Sequence, residues 1–148
     1  MRFDIADVRL EHIDEIEALE KLCFSLPWSR QALVSQFPDD MHMFIAAIGD
    51  DGRVLGYVGM MYVLDEGYIS NVAVSPEYRR LGIADSLINT LVKRANEKDL
   101  SFVTLEARKS NVPAIELYRK HGFSEVGLRK NYYTKPTEDA ILMTRFLK

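Results

Sequence analysis

The chain has a single cysteine, Cys23, among its 148 residues. One cysteine excludes a disulfide within the chain and fits a protein that works in a reducing compartment. Because Cys23 lies on the apolar side of a helical pattern, we expect it in the core and not as a nucleophile. The sequence also lacks any apolar run close to the roughly 20 residues that span a bilayer, which argues against a membrane protein. Residues 1–5 lack the apolar core of a signal peptide, so we expect a cytoplasmic protein.

The sequence also has no excess of basic residues. The chain has 19 lysines and arginines against 22 aspartates and glutamates, which gives a formal net charge of −3. Because direct nucleic-acid binding depends on an excess of basic residues, we do not expect it here. The histidines, His12, His42 and His121, show no metal-ligand spacing, and we expect no metal site.

The composition is that of an ordinary globular protein, with 47% hydrophobic and 28% charged residues. A chain of 148 residues can bury one core, and we expect a single domain over residues 1–148. Hydrophobic periodicity and turn residues predict strands at 3–9, 43–48, 53–64, 67–74, 101–108, 125–131 and 139–146, with a hairpin turn at 49–52. They predict helices at 13–23, from a cap at Ser29 through Phe37, at 81–95, and from a cap at Asn111 to a closing glycine, Gly122. This order predicts an α/β fold in which one mixed sheet carries helices on both faces.

A basic turn, Arg79-Arg80-Leu81-Gly82-Ile83-Ala84, follows one predicted strand and opens the longest predicted helix. The first backbone N–H groups of a helix have no partner within it, and small residues let a ligand approach them. Together with the helix dipole and two guanidinium groups, such a turn can bind phosphate. The alternative is a helix that simply begins with a solvated arginine pair. The turn is neither a Walker loop nor a Rossmann fingerprint, because it lacks Gly-Lys-Ser/Thr and has only one glycine.

Two polar residues in apolar surroundings are candidates for catalysis. Strand alternation places Glu106 on the face opposite its apolar neighbours in the strand at 101–108. Because glutamate is disfavoured in strands, Glu106 is either a functional carboxylate or an exposed edge-strand residue paired with Arg108. Tyr118 shares a helical face with apolar residues, for which a buried core tyrosine is the default interpretation.

The turn at residues 79–84 resembles the acyl-CoA pyrophosphate loop of the GNAT superfamily of N-acetyltransferases, whose pattern is Gln/Arg-x-x-Gly-x-Gly/Ala. The predicted order of elements is also that of the GNAT fold, which implies a mostly antiparallel mixed sheet of about seven strands. Further motifs are similar to the RimI type, whose members acetylate the N-terminal alanine of a ribosomal protein. These motifs lie at residues 24–29, 105–111, 117–118, 122–123, 129–133 and 138–141, so the resemblance covers nearly the whole chain.

The resemblance implies an acetyl-CoA-dependent enzyme that modifies the N-terminal α-amino group of a protein, in this type a ribosomal one. By family position, Glu106 is the general base, and Tyr118 is the general acid that reaches the sulfur of CoA. The residues implied in CoA binding are Val72, Ala73, Val74, Arg79, Arg80, Leu81, Gly82, Ile83, Ala84, Asn111 and Tyr118. The residues expected to flank the acceptor are Pro27 and Trp28 in a first loop and Tyr132 and Tyr133 in a late loop. We expect a monomer or a weak dimer.

Two departures from the family pattern are visible. Ala84 replaces the commoner second glycine of the loop, which most patterns of the family allow. The proline that often follows the tyrosine pair is displaced to Pro136, which leaves the shape of the acceptor-covering loop open.

The acceptor could be a small amine or a lysine side chain instead of a protein N-terminus. A CoA-sensing module without turnover is a further alternative, which the presence of Glu106 and Tyr118 disfavours.

Overall fold

The computed structural model describes residues 2–35 and 41–148. Within these ranges the chain forms seven strands and four α-helices in the predicted order. They are β1 (Phe3–Asp7), α1 (Ile13–Cys23), α2 (Arg30–Val34), β2 (His42–Gly49), β3 (Val54–Val63), β4 (Glu66–Val74), α3 (Ile83–Glu97), β5 (Phe102–Arg108), α4 (Val112–Lys120), β6 (Ser124–Tyr133) and β7 (Glu138–Phe146). Ser29 caps α2 as predicted, because its hydroxyl accepts the N–H of Ala32. The predicted continuation of this helix through Phe37 lies outside the described residues.

The described strands join one sheet in the order β1-β2-β3-β4-β5-β7-β6. In this part of the chain every neighbouring pair is antiparallel except β4 and β5, which run parallel. The prediction of a mixed, mostly antiparallel sheet is therefore confirmed. Because β5 lies between β4 and β7, the alternative that places Glu106 on an edge strand is wrong.

Helices cover both faces of the sheet, as predicted. The larger apolar cluster includes Leu87 of α3 and Tyr118 of α4, and we call this side of the sheet the α3 face. The second cluster includes Ile16 of α1 and Leu33 of α2, and we call that side the α1 face. Burial of these apolar side chains removes them from water and holds the helices on the sheet.

The parallel strands β4 and β5 separate along their length. In the described chain their pairing extends only as far as Tyr68 and Thr104. Ser70 forms a β-bulge, because the register between β3 and β4 shifts there and leaves it without a cross-strand partner. A bulge bends the strand that carries it. The carboxyl-terminal halves of the two strands, residues 69–74 and 105–108, therefore face each other across a gap.

Several element boundaries differ from the prediction. β1 stops at Asp7 because Leu10 begins a short 3₁₀ turn that leads into α1. β6 continues to Tyr133, which pairs with Glu138 of β7. Tyr132 and Tyr133 thus lie at the end of a strand, and their prediction as loop residues is wrong. Among the described helices none is both long and apolar enough to cross a bilayer.

Candidate active site

A cavity of about 620 Å³ occupies the gap between β4 and β5. Residues predicted for the site that form part of its wall are Trp28, Val72, Glu106, Asn111, Tyr118, Tyr132 and Tyr133. In the described chain, Pro27, Ala73, Val74 and the turn at 79–84 are not part of that wall. Ala73 is buried with its side chain in the α1-face cluster, and the turn follows β4 after one short 3₁₀ turn.

Side chains reach the cavity from opposite faces of the sheet. Val72 packs against the α3-face cluster, and Tyr118 belongs to that cluster. Glu106 alternates along β5 with Leu105, which also belongs to it, so the Glu106 side chain lies on the α1 face. The gap between the strands therefore joins two half-sites, one on each face, within a single cavity.

Glu106 is held by two side chains that the sequence did not reveal. The hydroxyl of Tyr68 donates a hydrogen bond to Oε1 of Glu106, and Nε of Arg129 lies 3.2 Å from the same oxygen. The side chain of Glu106 is 6% exposed, whereas that of Arg129 is 53% exposed. Burial and the hydrogen bond to Glu106 raise the pKa of Tyr68, which keeps its hydroxyl protonated as a donor. Glu106 is thus a nearly buried carboxylate of defined orientation.

Arg108, the alternative partner of Glu106, is engaged elsewhere. Its Nη1 lies 3.3 Å from Oε1 of Glu138, and its Nη2 donates to the backbone carbonyl of Thr134 at 3.0 Å. Its guanidinium also lies over the ring of Tyr133, 4.5 Å from the centroid. The alternative pairing of Glu106 with Arg108 is therefore wrong. Arg108 instead fastens the connection between β6 and β7 beside the cavity.

Tyr118 lies in the last turn of α4. As predicted, Asn111 caps the start of this helix through Oδ1, which accepts the N–H of Ala114 at 3.3 Å, and Gly122 follows its end at φ +87°. The ring of Tyr118 packs against Phe123, with centroids 5.9 Å apart. Tyr118 is 7% exposed, and its hydroxyl makes no hydrogen bond within the described residues. Burial raises the pKa of Tyr118, so the phenol is protonated at neutral pH.

The turn at residues 79–84 opens α3, with Gly82 in the N-cap position at φ +80°. No side chain of the described residues caps α3, and a Cβ added to Gly82 would meet no atom within 4 Å. The first N–H groups of α3 thus have no side-chain partner among the described residues, as at helix ends that can bind an anion. Arg80 is exposed at φ +65°, whereas Nε of Arg79 donates to the carbonyl of Val74 at 3.2 Å.

Asp85 places a negative charge in the first turn of α3, beside the turn at 79–84. Its Oδ1 lies 3.0 Å from Nζ of Lys120 and 3.0 Å from Nε2 of His121, both at the end of α4. The hydrogen bond from Lys120 is the main cause that lowers the pKa of Asp85. This contact offsets the negative charge near the turn and ties α3 to α4.

Aromatic side chains and one thiol complete the wall. Trp28 packs against the α1-face cluster, and the rings of Tyr132 and Tyr133 meet edge to face with centroids 5.0 Å apart. Burial raises the pKa of Tyr133 to about 12. Cys23, the last residue of α1, packs against the α1-face cluster as expected of a core residue, but it is only half-buried and also lines the cavity. Burial raises the pKa of Cys23, which disfavours the nucleophilic thiolate.

Sequence patterns did not predict a buried polar cluster that lies beside the cavity. Glu20 of α1 is fully buried, and its Oε1 accepts the backbone N–H of Trp28 at 2.8 Å. Its Oε2 accepts the hydroxyl of Tyr57 at 2.6 Å and Nδ2 of Asn71 at 3.0 Å. Burial raises the pKa of Glu20, and the three hydrogen bonds act against that rise. The sequence does place the Glu20 carboxylate on the apolar stripe of α1, next to the buried Leu19. A carboxylate in such a position indicates buried hydrogen-bond partners.

Comparison with known proteins finds relatives of one family. A model of the acetyltransferase (GNAT) family matches residues 13–123. The ribosomal protein bS18-alanine N-acetyltransferase of Escherichia coli (strain K12) is 33% identical over 127 residues, which cover 84% of each chain. A Bacillus subtilis (strain 168) protein assigned provisionally to the same activity is 37% identical over 139 residues, 94% of this chain and 92% of its own.

A solved structure shows the same fold. The crystal structure of the ribosomal-protein-S18-alanine N-acetyltransferase from Escherichia coli aligns with a TM-score of 0.91 at 28% identity, covering 99% of this chain and 95% of that one. The family match extends from α1 to Phe123 and so includes the turn at 79–84, Glu106 and Tyr118, whereas Tyr132 and Tyr133 of the cavity wall lie beyond it. The resemblance seen in the sequence motifs is confirmed, and the chain belongs to the GNAT family of acetyltransferases.

Proposed function

We propose that this N-acetyltransferase transfers the acetyl group of acetyl-CoA to the N-terminal α-amino group of a protein, namely the N-terminal alanine of a ribosomal protein. The observation that carries the proposal is that Glu106 and Tyr118 reach one cavity from opposite faces of the sheet. Relatives that are 33% and 37% identical, and that align with 84% or more of the chain, are named for this acceptor.

Acetyl-CoA supplies the acetyl thioester, and the α3-face half-site has the features that such a molecule needs. The turn at 79–84 offers uncapped N–H groups and open space over Gly82 to the pyrophosphate. Among the described strands none pairs with the edge of β4 beyond Tyr68 on its β5 side, so residues 72–74 can pair with the pantetheine arm as with an added strand. A backbone N–H of this segment polarises the thioester carbonyl, and Asn111 and Tyr118 bound the cavity on the α4 side.

Glu106 is the proposed general base. An α-amino group has a pKa near 8, so it is mostly protonated at neutral pH and must lose a proton before it attacks the thioester. Glu106 lies on the α1 face, from which the acceptor enters, and Tyr68 and Arg129 hold its carboxylate in place. It takes the proton of the amine through a water molecule.

Tyr118 is the proposed general acid. Its ring belongs to the α3-face cluster, on the side where the pantetheine arm delivers the sulfur. Burial raises the pKa of Tyr118, so the phenol is protonated when the substrates bind. As the thiolate leaves, the phenol donates this proton to the sulfur. The amine attacks the thioester directly, so no group on the enzyme becomes acetylated.

The acceptor side favours a peptide that begins with a small residue. Trp28, Tyr132 and Tyr133 line the cavity, and Pro27 precedes Trp28 in the same loop. Rigid aromatic walls confine an extended chain and leave little volume for its first side chain. We therefore propose N-terminal alanine or serine over free lysine and over aminoglycosides as acceptors.

The experiment is a thiol-release assay with acetyl-CoA and a panel of acceptors. The panel contains Ala- and Ser-initiated peptides, an N-terminally blocked peptide with an internal lysine, free lysine and an aminoglycoside. We expect the highest kcat/KM for the Ala-initiated peptide. A higher kcat/KM for lysine or the aminoglycoside would contradict the acceptor but not the chemistry. Binding of acetyl-CoA by calorimetry without thiol release from any amine would identify a CoA-sensing module instead.

A further inference from the structure

We propose that the side-chain carbonyl of Asn71 binds the α-amino group of the acceptor, a primary ammonium or amine, through a hydrogen bond. This inference rests on the proposed function, because it assigns a contact to the acceptor of that reaction. Asn71 lines the cavity, and its side chain lies on the α1 face, as does that of Glu106. Glu20 acts as a positioning residue that sets the orientation of the Asn71 amide.

The hydrogen bonds of the buried cluster determine which way the Asn71 amide faces. Nδ2 lies 3.0 Å from Oε2 of Glu20 and 3.0 Å from the hydroxyl oxygen of Tyr57. A carboxylate only accepts hydrogen bonds, and the Tyr57 hydroxyl donates its one proton to Oε2 of Glu20 at 2.6 Å. Both oxygens therefore require an N–H donor from Asn71, and because they lie only 2.6 Å apart, one N–H of its amide serves both.

This arrangement leaves the carbonyl oxygen of Asn71 for a ligand. Within residues 2–35 and 41–148 no group donates a hydrogen bond to Oδ1, although Asn71 is part of the cavity wall. A flip of the amide would place Oδ1 against the Glu20 carboxylate and leave two oxygens facing each other. Glu20 and Tyr57 are both fully buried, so neither can turn to water to relieve that contact. Oδ1 of Asn71, a residue of the cavity wall, is thus a preset acceptor that receives no hydrogen bond from the described residues.

The position of Asn71 in β4 suits an amine that is about to react. It follows the Ser70 bulge that opens the gap, and it precedes residues 72–74, whose backbone is proposed to hold the thioester. Tyr68, three positions earlier in the same strand, holds the carboxylate of Glu106. An amine on Oδ1 therefore lies near both the thioester and the base. A neutral amide oxygen also binds the amine before and after deprotonation, whereas a carboxylate would favour the ammonium.

The test measures how much affinity the amino group contributes to acceptor binding. Calorimetry on the enzyme–CoA complex, which cannot turn over, compares an Ala-initiated tripeptide with its desamino analogue, in which propionyl replaces alanyl. For the wild type we expect the amine-bearing peptide to bind at least about tenfold more tightly, as a charge-assisted hydrogen bond does. Asn71→Leu, which keeps the approximate shape and loses the carbonyl, should reduce this ratio below about threefold while the desamino analogue binds as before.

Tyr57→Phe is the matched control, because it removes a hydrogen bond from the same buried cluster but leaves the contact between Asn71 and Glu20. It should retain most of the affinity ratio. An unchanged ratio in Asn71→Leu would overturn the inference, and so would equal losses in both variants, which would indicate general loosening of the cluster. If Asn71→Leu does not fold, Asn71→Ser serves for the same measurement.

Turnover by the wild type separates this inference from the proposed function. If the wild type acetylates the Ala-initiated peptide but the affinity ratio does not depend on Asn71, only the present inference fails. If the wild type acetylates no N-terminal peptide, both fail together.

Discussion

Replacement of Glu106 by glutamine tests the central chemical assignment. The change keeps the shape of the side chain and its acceptor for the Tyr68 hydroxyl, but it removes the base and the ion pair with Arg129. Arg129 is 53% exposed, and an ion pair with so exposed a partner contributes only about 0.2–1 kcal/mol to stability. The variant should therefore fold normally, and its defect should be kinetic.

The expected defect has a defined size and pH dependence. Loss of a general base lowers kcat/KM by about 10²- to 10⁴-fold at neutral pH, or about 2.7–5.4 kcal/mol of activation free energy. Without the base, the reaction depends on amine that is already deprotonated. For an α-amino pKa near 8, the free amine rises from about 10% at pH 7 to about 90% at pH 9. The kcat/KM of the variant should therefore rise roughly ninefold over this range.

The assay is thiol release from acetyl-CoA with one N-terminal peptide, followed as kcat/KM from about pH 7 to about pH 9. Arg129→Gln is the matched control, because it removes the same ion pair and retains the carboxylate. It should lose less than about tenfold at neutral pH, well below the loss in Glu106→Gln. Wild-type rates for Glu106→Gln across the range would show that this carboxylate is an ordinary strand residue, and the base would have to lie elsewhere.

Three further changes test the rest of the assignment. Tyr118→Phe keeps the packing against Phe123 and should still bind acetyl-CoA, but its kcat should fall without recovery at high pH, because free amine does not replace a proton donor; recovery at high pH would refute the acid role. Gly82→Val should weaken acetyl-CoA binding at least about tenfold by calorimetry, whereas Gly52→Val, which has the same strain at φ +84° and open space around its Cβ, should retain the affinity. Equal losses in the two glycine variants would mean that the turn at 79–84 is not the phosphate site. Glu20→Gln should alter the pH dependence of stability. Because burial raises the pKa of Glu20 in the folded state, the free energy of unfolding of the wild type should fall as the pH rises through that pKa. Urea denaturation should show a smaller fall in the variant. Identical slopes for the two proteins would contradict the assigned shift.

Much of the fold follows from local patterns in the chain. Helix and strand periodicities, the hairpin at Gly52 and the cap at Asn111 depend on residues close in sequence, and the structure places them as the patterns predict. The strand face of Glu106 and the opening of α3 at Gly82 are local properties of the same kind. Local patterns alone left the chemical roles of Glu106 and Gly82 open, and the family motifs supplied them.

Contacts between distant residues account for the features that local patterns did not reveal. The gap arises at Ser70, whose bulge is visible only once β3 pairs with β4. Glu106 meets Arg129 and not Arg108, because the pairing of β5 with β7 and of β7 with β6 sets which side chains become neighbours. Glu20 reaches Asn71 across 51 residues of chain, so its buried carboxylate becomes a partner of the cavity wall only in the folded protein. Periodicity reports which side of an element is buried, whereas tertiary packing decides which buried groups meet, since that depends on how the elements assemble.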